Sequence, residues 1–89
     1  MPLEALRKAK RRTVGTKQTA KALERNVVEM VFVARDADER VIRDIVKRCG
    51  DSAVKVEYVD TMSALGKACG IEVGAASAAI LKEEAESGR

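Results

Sequence analysis

From residue 27 onward the apolar positions change period more than once, and each change marks the border of an element. In VVEMVFVA, residues 27–34, almost every side chain is β-branched, aromatic or otherwise apolar. Such a run is short and stiff at χ1, and it predicts a strand buried on both faces in the middle of a sheet. Val41, Ile42, Ile45, Val46 and Cys49 then recur every third or fourth position, the spacing of one helical face. Asp36 or Asp38 is placed to cap that helix, and Gly50 to stop it in a left-handed conformation. VKVEYV, residues 54–59, alternates apolar and polar, as a strand with one more solvated face does, so it belongs nearer an edge. Asp60 or Thr61 caps a short helix with Met62, Leu65 and Cys69 inward and Gly70 after it.

The two ends of the chain are less regular. PLEALRKAKRR, residues 2–12, predicts a helix that opens on Pro, turns Leu3 and Leu6 to one side and carries a basic outer face. Val14 and Gly15 form a brief extended link, and Thr16 caps a second helix with Ala20 and Leu23 inward and Asn26 at its end. By propensity AASAAIL, residues 75–81, is helical. The regular strand–helix alternation nevertheless needs a last strand, so residues 77–81 are assigned to it, with Gly74 as the break. KEEAESGR has no apolar anchor after Leu81 and is expected to fray, which divides the chain into a single domain at 1–81 and a charged tail at 82–89.

Composition narrows the function. A chain of 89 residues is one domain, and a 46% hydrophobic share with one Phe, one Tyr and no Trp describes an aliphatic α/β core. The net charge of +3 conceals a segregation. Residues 1–25 hold eight Lys or Arg against Glu4 and Glu24, a balance of +6, whereas the remainder holds nine against twelve, a balance of −3. A basic front on a near-neutral body points to an anionic partner, nucleic acid ahead of membrane or acidic protein. Cys49 and Cys69 are isolated and the chain has no His, so zinc sites and His-activated nucleophiles lack their parts. Both thiols read as small buried groups in a reducing cytoplasm. No apolar run approaches the ~20 residues of a membrane span, and no apolar stripe asks for a second copy, so a cytoplasmic monomer is expected.

Gly66, Gly70 and Gly74 in GKACGIEVG invite a nucleotide-binding reading, but a P-loop needs Gly and Ser or Thr where Thr61 and Ala68 stand. Asp36 with Asp38 is explained by capping, and Glu83 with Glu84 lies in the tail. No catalytic residue, metal ligand, cofactor or small-molecule substrate is therefore assigned, and the protein is not expected to be an enzyme. What remains is the helix entrance at Gly15, Thr16, Lys17, Gln18 and Lys21. Cations there oppose the helix's own dipole, an arrangement that an anionic ligand explains and a merely solvated helix start does not. First-turn amides meet phosphate, Lys and Gln reach purine edges, and Gly15 lets another backbone come close. Aromatic stacking platforms are missing, since Phe32 sits in the core strand and Tyr58 stands alone. Groove readout of a folded RNA therefore fits better than splayed bases. A basic interaction module for an acidic protein, and a nucleotide-handling segment at 66–74, are the rival readings.

In order and spacing, GTKQTAKALERN, VFVARDAD and LGKACGIEVGAASAAI resemble the kink-turn RNA-binding ribosomal protein family, which includes the archaeal large-subunit seven-A-e protein and eukaryotic large-subunit protein thirty. The likeness spans about residues 3 to 81. It implies a three-layer α-β-α sandwich around a mixed four-stranded sheet and supports the strand at 77–81. It also implies that Lys17, Gln18 and Lys21 face the guanines of tandem sheared G·A pairs, Gly15 and Thr16 the adjoining backbone, and Ile71, Glu72 and Val73 the looped-out nucleotides. Arg35 is a candidate for an added phosphate contact. Lys17-Gln18 stands where archaeal members usually carry Asn-Glu, as in the small bacterial paralogues. That change removes an acceptor carboxylate and adds a phosphate-seeking cation, so binding should lean more on charge. A ribosomal kink-turn, a riboswitch and a small ribonucleoprotein would all present the same G·A geometry.

Overall fold

The computed structural model describes residues 2–82. Along them run α1 (Pro2–Lys8), β1 (Arg12–Val14), α2 (Thr16–Glu24), β2 (Val28–Ala34), α3 (Glu39–Asp51), β3 (Lys55–Val59), α4 (Met62–Ala68) and β4 (Ser77–Leu81). The strands form one mixed sheet in the order β1-β4-β2-β3, with β2 parallel to β3 and β4 antiparallel to both of its neighbours. The β2 strand, apolar at every position but Glu29, is interior and the alternating β3 is an edge, as their patterns require. Residues 77–81 are strand despite their helical propensity, because β4 fills the slot between β1 and β2 and hydrogen-bonds on both sides.

Helices cover both faces of the sheet. On one, Leu6 of α1 and Leu65 and Ala68 of α4 pack on Phe32, Ala34 and Ala78. On the other, Ala22 and Leu23 of α2 and Ile45 and Cys49 of α3 pack on Val31, Val33 and Ala79. Val28 joins the Val31 face although strict alternation would send it opposite, because the β2–β4 register shifts between Val28 and Met30. The result is the expected α-β-α sandwich. Burial pushes the Cys49 thiol up to about 11 and also raises that of Cys69, where the Arg12 guanidinium acts in the opposite direction.

Four local expectations need correction. The first helix ends at Lys8 rather than continuing through residue 12, because Arg12 to Val14 pair with β4 and that ladder overrides the helical propensity of the basic run. Gly50 does not stop α3; the helix runs on to Asp51, and Ala53 takes the left-handed conformation at φ 56° while Val54 donates its amide to the Cys49 carbonyl at 2.8 Å. Thr16 is the first helical residue of α2 and not its cap, which is Gly15. The inward face of α2 is Thr19, Ala22 and Leu23, with Ala20 only half-buried, because the hydroxyl of Thr19 bonds that of Thr13 at 3.0 Å beneath the helix. Elsewhere Asp38 caps α3 and Thr61 caps α4, while Asp36 accepts the amide of Met62 from another element at 2.8 Å. Of the charged tail only Lys82 is described, its amide donating to the Val27 carbonyl at 2.8 Å, and Glu83 and Glu84 lie outside the described residues.

Arg12 explains how the α1–α4 layer closes. Its guanidinium donates to the carbonyls of Leu6, Arg7 and Ala9 at 3.3 to 3.4 Å and of Cys69 at 3.1 Å, so one side chain serves the C-terminal ends of two helices. Arg12→Ala is expected to cost about 2 kcal/mol, a fall of roughly 8–16 °C in Tm, with Arg12→Lys recovering only part because a single ammonium does not fork. A melting comparison of the three proteins checks this; an Ala variant as stable as the parent would contradict the double role.

Candidate nucleic-acid interface

Helix α2 begins differently from α3 and α4. Gly15 sits at its N-cap with φ 99°, ψ 153°, a conformation that suits a residue without Cβ, and no side chain caps the helix. The Thr16 hydroxyl, which sequence makes the natural cap, instead meets the Ser77 hydroxyl at 3.2 Å, and the Gly15 amide donates to the Ser77 carbonyl at 2.8 Å. The entrance of α2 is thereby tied to the start of β4, while its first turn holds no acidic residue and exposes Lys17 and Gln18. Lys21, one turn further on, is also exposed. A positive helix end, free first-turn amides and the Lys17 cation converge here with no acidic residue in the first turn, whereas Lys21 falls in the last turn of this nine-residue helix, where a cation suits the dipole.

The segment between α4 and β4 is held from below. A Cβ at Gly66 would overlap the Val73 carbonyl oxygen and lie 3.1 Å from its carbon, and a Cβ at Gly74 would lie 2.9 Å from that of Met62. Backbone meets helix directly at both points. Ile71 donates its amide to the Gly66 carbonyl and Ala75 to the Met62 carbonyl, each at 3.0 Å, and the Ile71 side chain packs, half-buried, on the α1–α4 core. Glu72 is exposed, and Val73 is 70% exposed, a branched apolar side chain facing water on a firmly seated turn.

These pieces meet at one end of the sheet. Ser77 joins the loop to Gly15 and Thr16, and the Ala34 amide donates to the Ala76 carbonyl at 2.9 Å, so Arg35 begins its turn at the same end. Arg35 itself has company: its guanidinium lies 5.1 Å from the centroid of the Tyr58 ring and its Nε 3.9 Å from Asp60. Both contacts are exposed, and pairs of that kind bind weakly and yield to a stronger anion. The structure therefore sets Gly15 and Thr16, with Lys17 next to them in the chain, at the sheet end where β4 begins after the Ile71, Glu72 and Val73 loop and where Arg35 starts its turn, while Gln18 and Lys21 line a groove with Arg11, Arg25, Val27 and Leu81.

In the sequence the glycines at 66, 70 and 74 fail as a phosphate loop, and only Gly70, after the short helix, and Gly74, as the break before the last strand, receive another role. Gly66 and Gly74 instead let the loop lie on α4. The recognisable signal was a glycine inside a helical stretch, which points to close backbone approach. Ser77, fully buried and bonded to the α2 entrance, gave no sign of its role. Among the described residues no helix is long and apolar enough to cross a membrane, and no group of three or more His, Cys, Asp or Glu is placed to hold a metal ion.

The family model described as ribosomal protein L7Ae/L30e/S12e/Gadd45 matches residues 2–88. The chain belongs to this family. An RNA-binding protein of Caldanaerobacter subterraneus is 48% identical over 69 residues, covering 78% of this chain and 84% of the relative. One of Halalkalibacterium halodurans is 44% identical over 82 residues, covering 92% of this chain and all of the relative. Among solved structures, the Giardia lamblia 15.5kD RNA binding protein superposes with a TM-score of 0.83 at 26% identity, over 98% of this chain and 76% of its own. This L7Ae/L30e family member thus shares its architecture with the Giardia lamblia RNA binding protein.

Proposed function

We propose that this L7Ae/L30e family protein is a non-enzymatic RNA-binding protein that docks a kink-turn and holds it in the bent form by binding that form alone, a population shift by a ligand. The observation that carries the reading is the entrance of α2, without a side-chain cap and bearing Lys17, tied through Ser77 to the start of β4, just after a loop that lies directly on α4 and presents Val73. In this arrangement Lys17, Gln18 and Lys21 read guanine edges in a widened groove, Gly15 and Thr16 approach the backbone, and Ile71, Glu72 and Val73 support the looped-out nucleotides. Arg35 turns from Tyr58 and Asp60 to a phosphate. The protein acts as a cytoplasmic monomer, and ribosomal RNA, a riboswitch and a small ribonucleoprotein RNA are the carriers of such a motif.

Titration at fixed salt against a kink-turn RNA and a control with both sheared G·A pairs replaced by Watson–Crick pairs tests this. A preference for the intact kink of about 2 kcal/mol or more is expected, the size of a good base contact. Equal binding that salt abolishes would reduce the site to an electrostatic patch and remove the kink-turn reading.

A further inference from the structure

β3 is an edge of the sheet, so one side of its backbone has no strand beside it. Along a parallel ladder the amide and carbonyl of one residue face the same neighbour, and those of the next residue face away. Arg35 donates its amide to the Val59 carbonyl at 2.7 Å, in the register that sets Val59 beside Ala34, so Lys55, Glu57 and Val59 are turned to β2. Val56 and Tyr58 therefore aim both backbone groups outward. The Val54 amide is spent on the Cys49 carbonyl at 2.8 Å, which leaves its own carbonyl for the open side. Side chains alternate as well: Val54 and Val56 pack half-buried on the α2–α3 core, and Tyr58 on the same face is 42% exposed. Lys55 and Glu57 share the other face, 3.3 Å apart.

Charges on an edge strand ordinarily repel a neighbouring strand. Here they are placed to accept one. Read backwards, VKVEY keeps its apolar positions and exchanges its signs. An antiparallel copy centred on Val56 sets Val56 against Val56, Val54 against Tyr58 and Lys55 against Glu57. The backbone agrees with that register, because the residues with outward groups become the hydrogen-bonded pairs. Lys55 and the partner's Glu57 then fall at the positions between them, where side chains approach most closely.

We propose that β3 pairs with β3 of a second copy in this symmetric antiparallel register, joining the two four-stranded sheets into one. Tyr58 gains a cover from the partner's Val54, and each internal Lys55–Glu57 pair becomes half of an alternating square of charges. Pairing is independent of which RNA the protein reads. The α2 entrance follows β1, at the opposite edge of the sheet, so a single chain remains the unit that docks one RNA motif. The contact is small and of the transient class, formed where the local concentration is high, as between copies on neighbouring sites of one RNA.

Sedimentation of the full chain at rising concentration tests this, together with Lys55→Glu, Glu57→Lys and an equimolar mixture of the two variants, with a melting curve for each. The parent is expected to pass from the mass of one chain to that of two, at higher concentration in more salt. Each variant alone sets like charges at both crossings and should associate about ten-fold more weakly. The mixture should recover the association of the parent, because the acids of one variant then meet the lysines of the other. Both variants lack the internal Lys55–Glu57 pair in the mixture as they do alone, so recovery reports only the contact between copies. Lys55 is exposed, and Lys55→Glu therefore keeps the test open whatever Glu57→Lys does to folding. A parent that keeps the mass of one chain at every concentration would overturn the pairing and leave the edge to an extended segment of another protein. Dimers that Lys55→Glu retains at full strength, or that the mixture of folded variants fails to recover, would overturn the β3 register.

Discussion

Gly66→Ala is expected to destabilise the protein by about 2 kcal/mol net, although alanine in a helix is ordinarily worth about 1 kcal/mol over glycine. The reason lies outside the helix. A Cβ at this position would overlap the Val73 carbonyl oxygen and lie 3.2 Å from the Gly74 Cα, so the obstacle is backbone and not the far end of a flexible side chain. Either the loop lifts from α4, losing the amide bonds of Ile71 and Ala75 and the packing of Ile71, or α4 shifts in the core around Leu65. Both routes displace Val73, so RNA affinity should fall with stability. Gly50→Ala is the internal control: Gly50 is helical and exposed, with open space where its Cβ would go, and the same substitution there should stabilise by about 0.5–1 kcal/mol. Denaturant titration of the two variants gives opposite signs if the loop is seated as described; two stabilising results would refute the seating.

The combined replacement of Lys17, Gln18 and Lys21 by alanine should behave in the reverse way. Loss of one base-reading amide and two cations is expected to lower kink-turn affinity by roughly 3–4 kcal/mol, several hundred-fold. Stability should stay level or rise, because Lys17 opposes the dipole of α2 and alanine favours the helix. All three side chains are exposed, so no cavity forms. A site is distinguished from a structural surface by this divergence of binding and melting. Unchanged affinity in the triple variant would remove the α2 entrance from the function.

Much of this arrangement was legible in the chain. The run at 27–34 contains no solvated face, and only an interior strand accommodates that, while the 3.6-residue period of Ile45 and Cys49 with Asp38 ahead of it leaves little choice but a capped helix. The α2 entrance was visible because Lys17 is locally unfavourable, and a local misfit signals a remote cause. The errors have a common origin. Arg12 to Val14 are strand only because β4, some 65 residues away in sequence, offers them a partner, and Thr16 is not a cap only because Ser77 claims its hydroxyl. Gly66 and Gly74 failed the phosphate-loop pattern, and Gly66 was left without a role, because nothing local says that the segment between them returns to lie on the helix.

Local patterns of hydrophobicity, caps and charge by themselves determined most of the elements this protein forms, β1 and β4 excepted, that its core is aliphatic and that an anionic partner is expected at its basic front, since each of these follows from interactions within a few residues. Tertiary structure alone decided the rest. It set the strand order, bound the α2 entrance to the 71–73 loop through Ser77, left Val73 in water and joined Gln18, Lys21 and Arg25 in one groove. Those relations depend on hydrogen bonds and close contacts between segments far apart in the chain, and such contacts take shape only when the whole sheet closes.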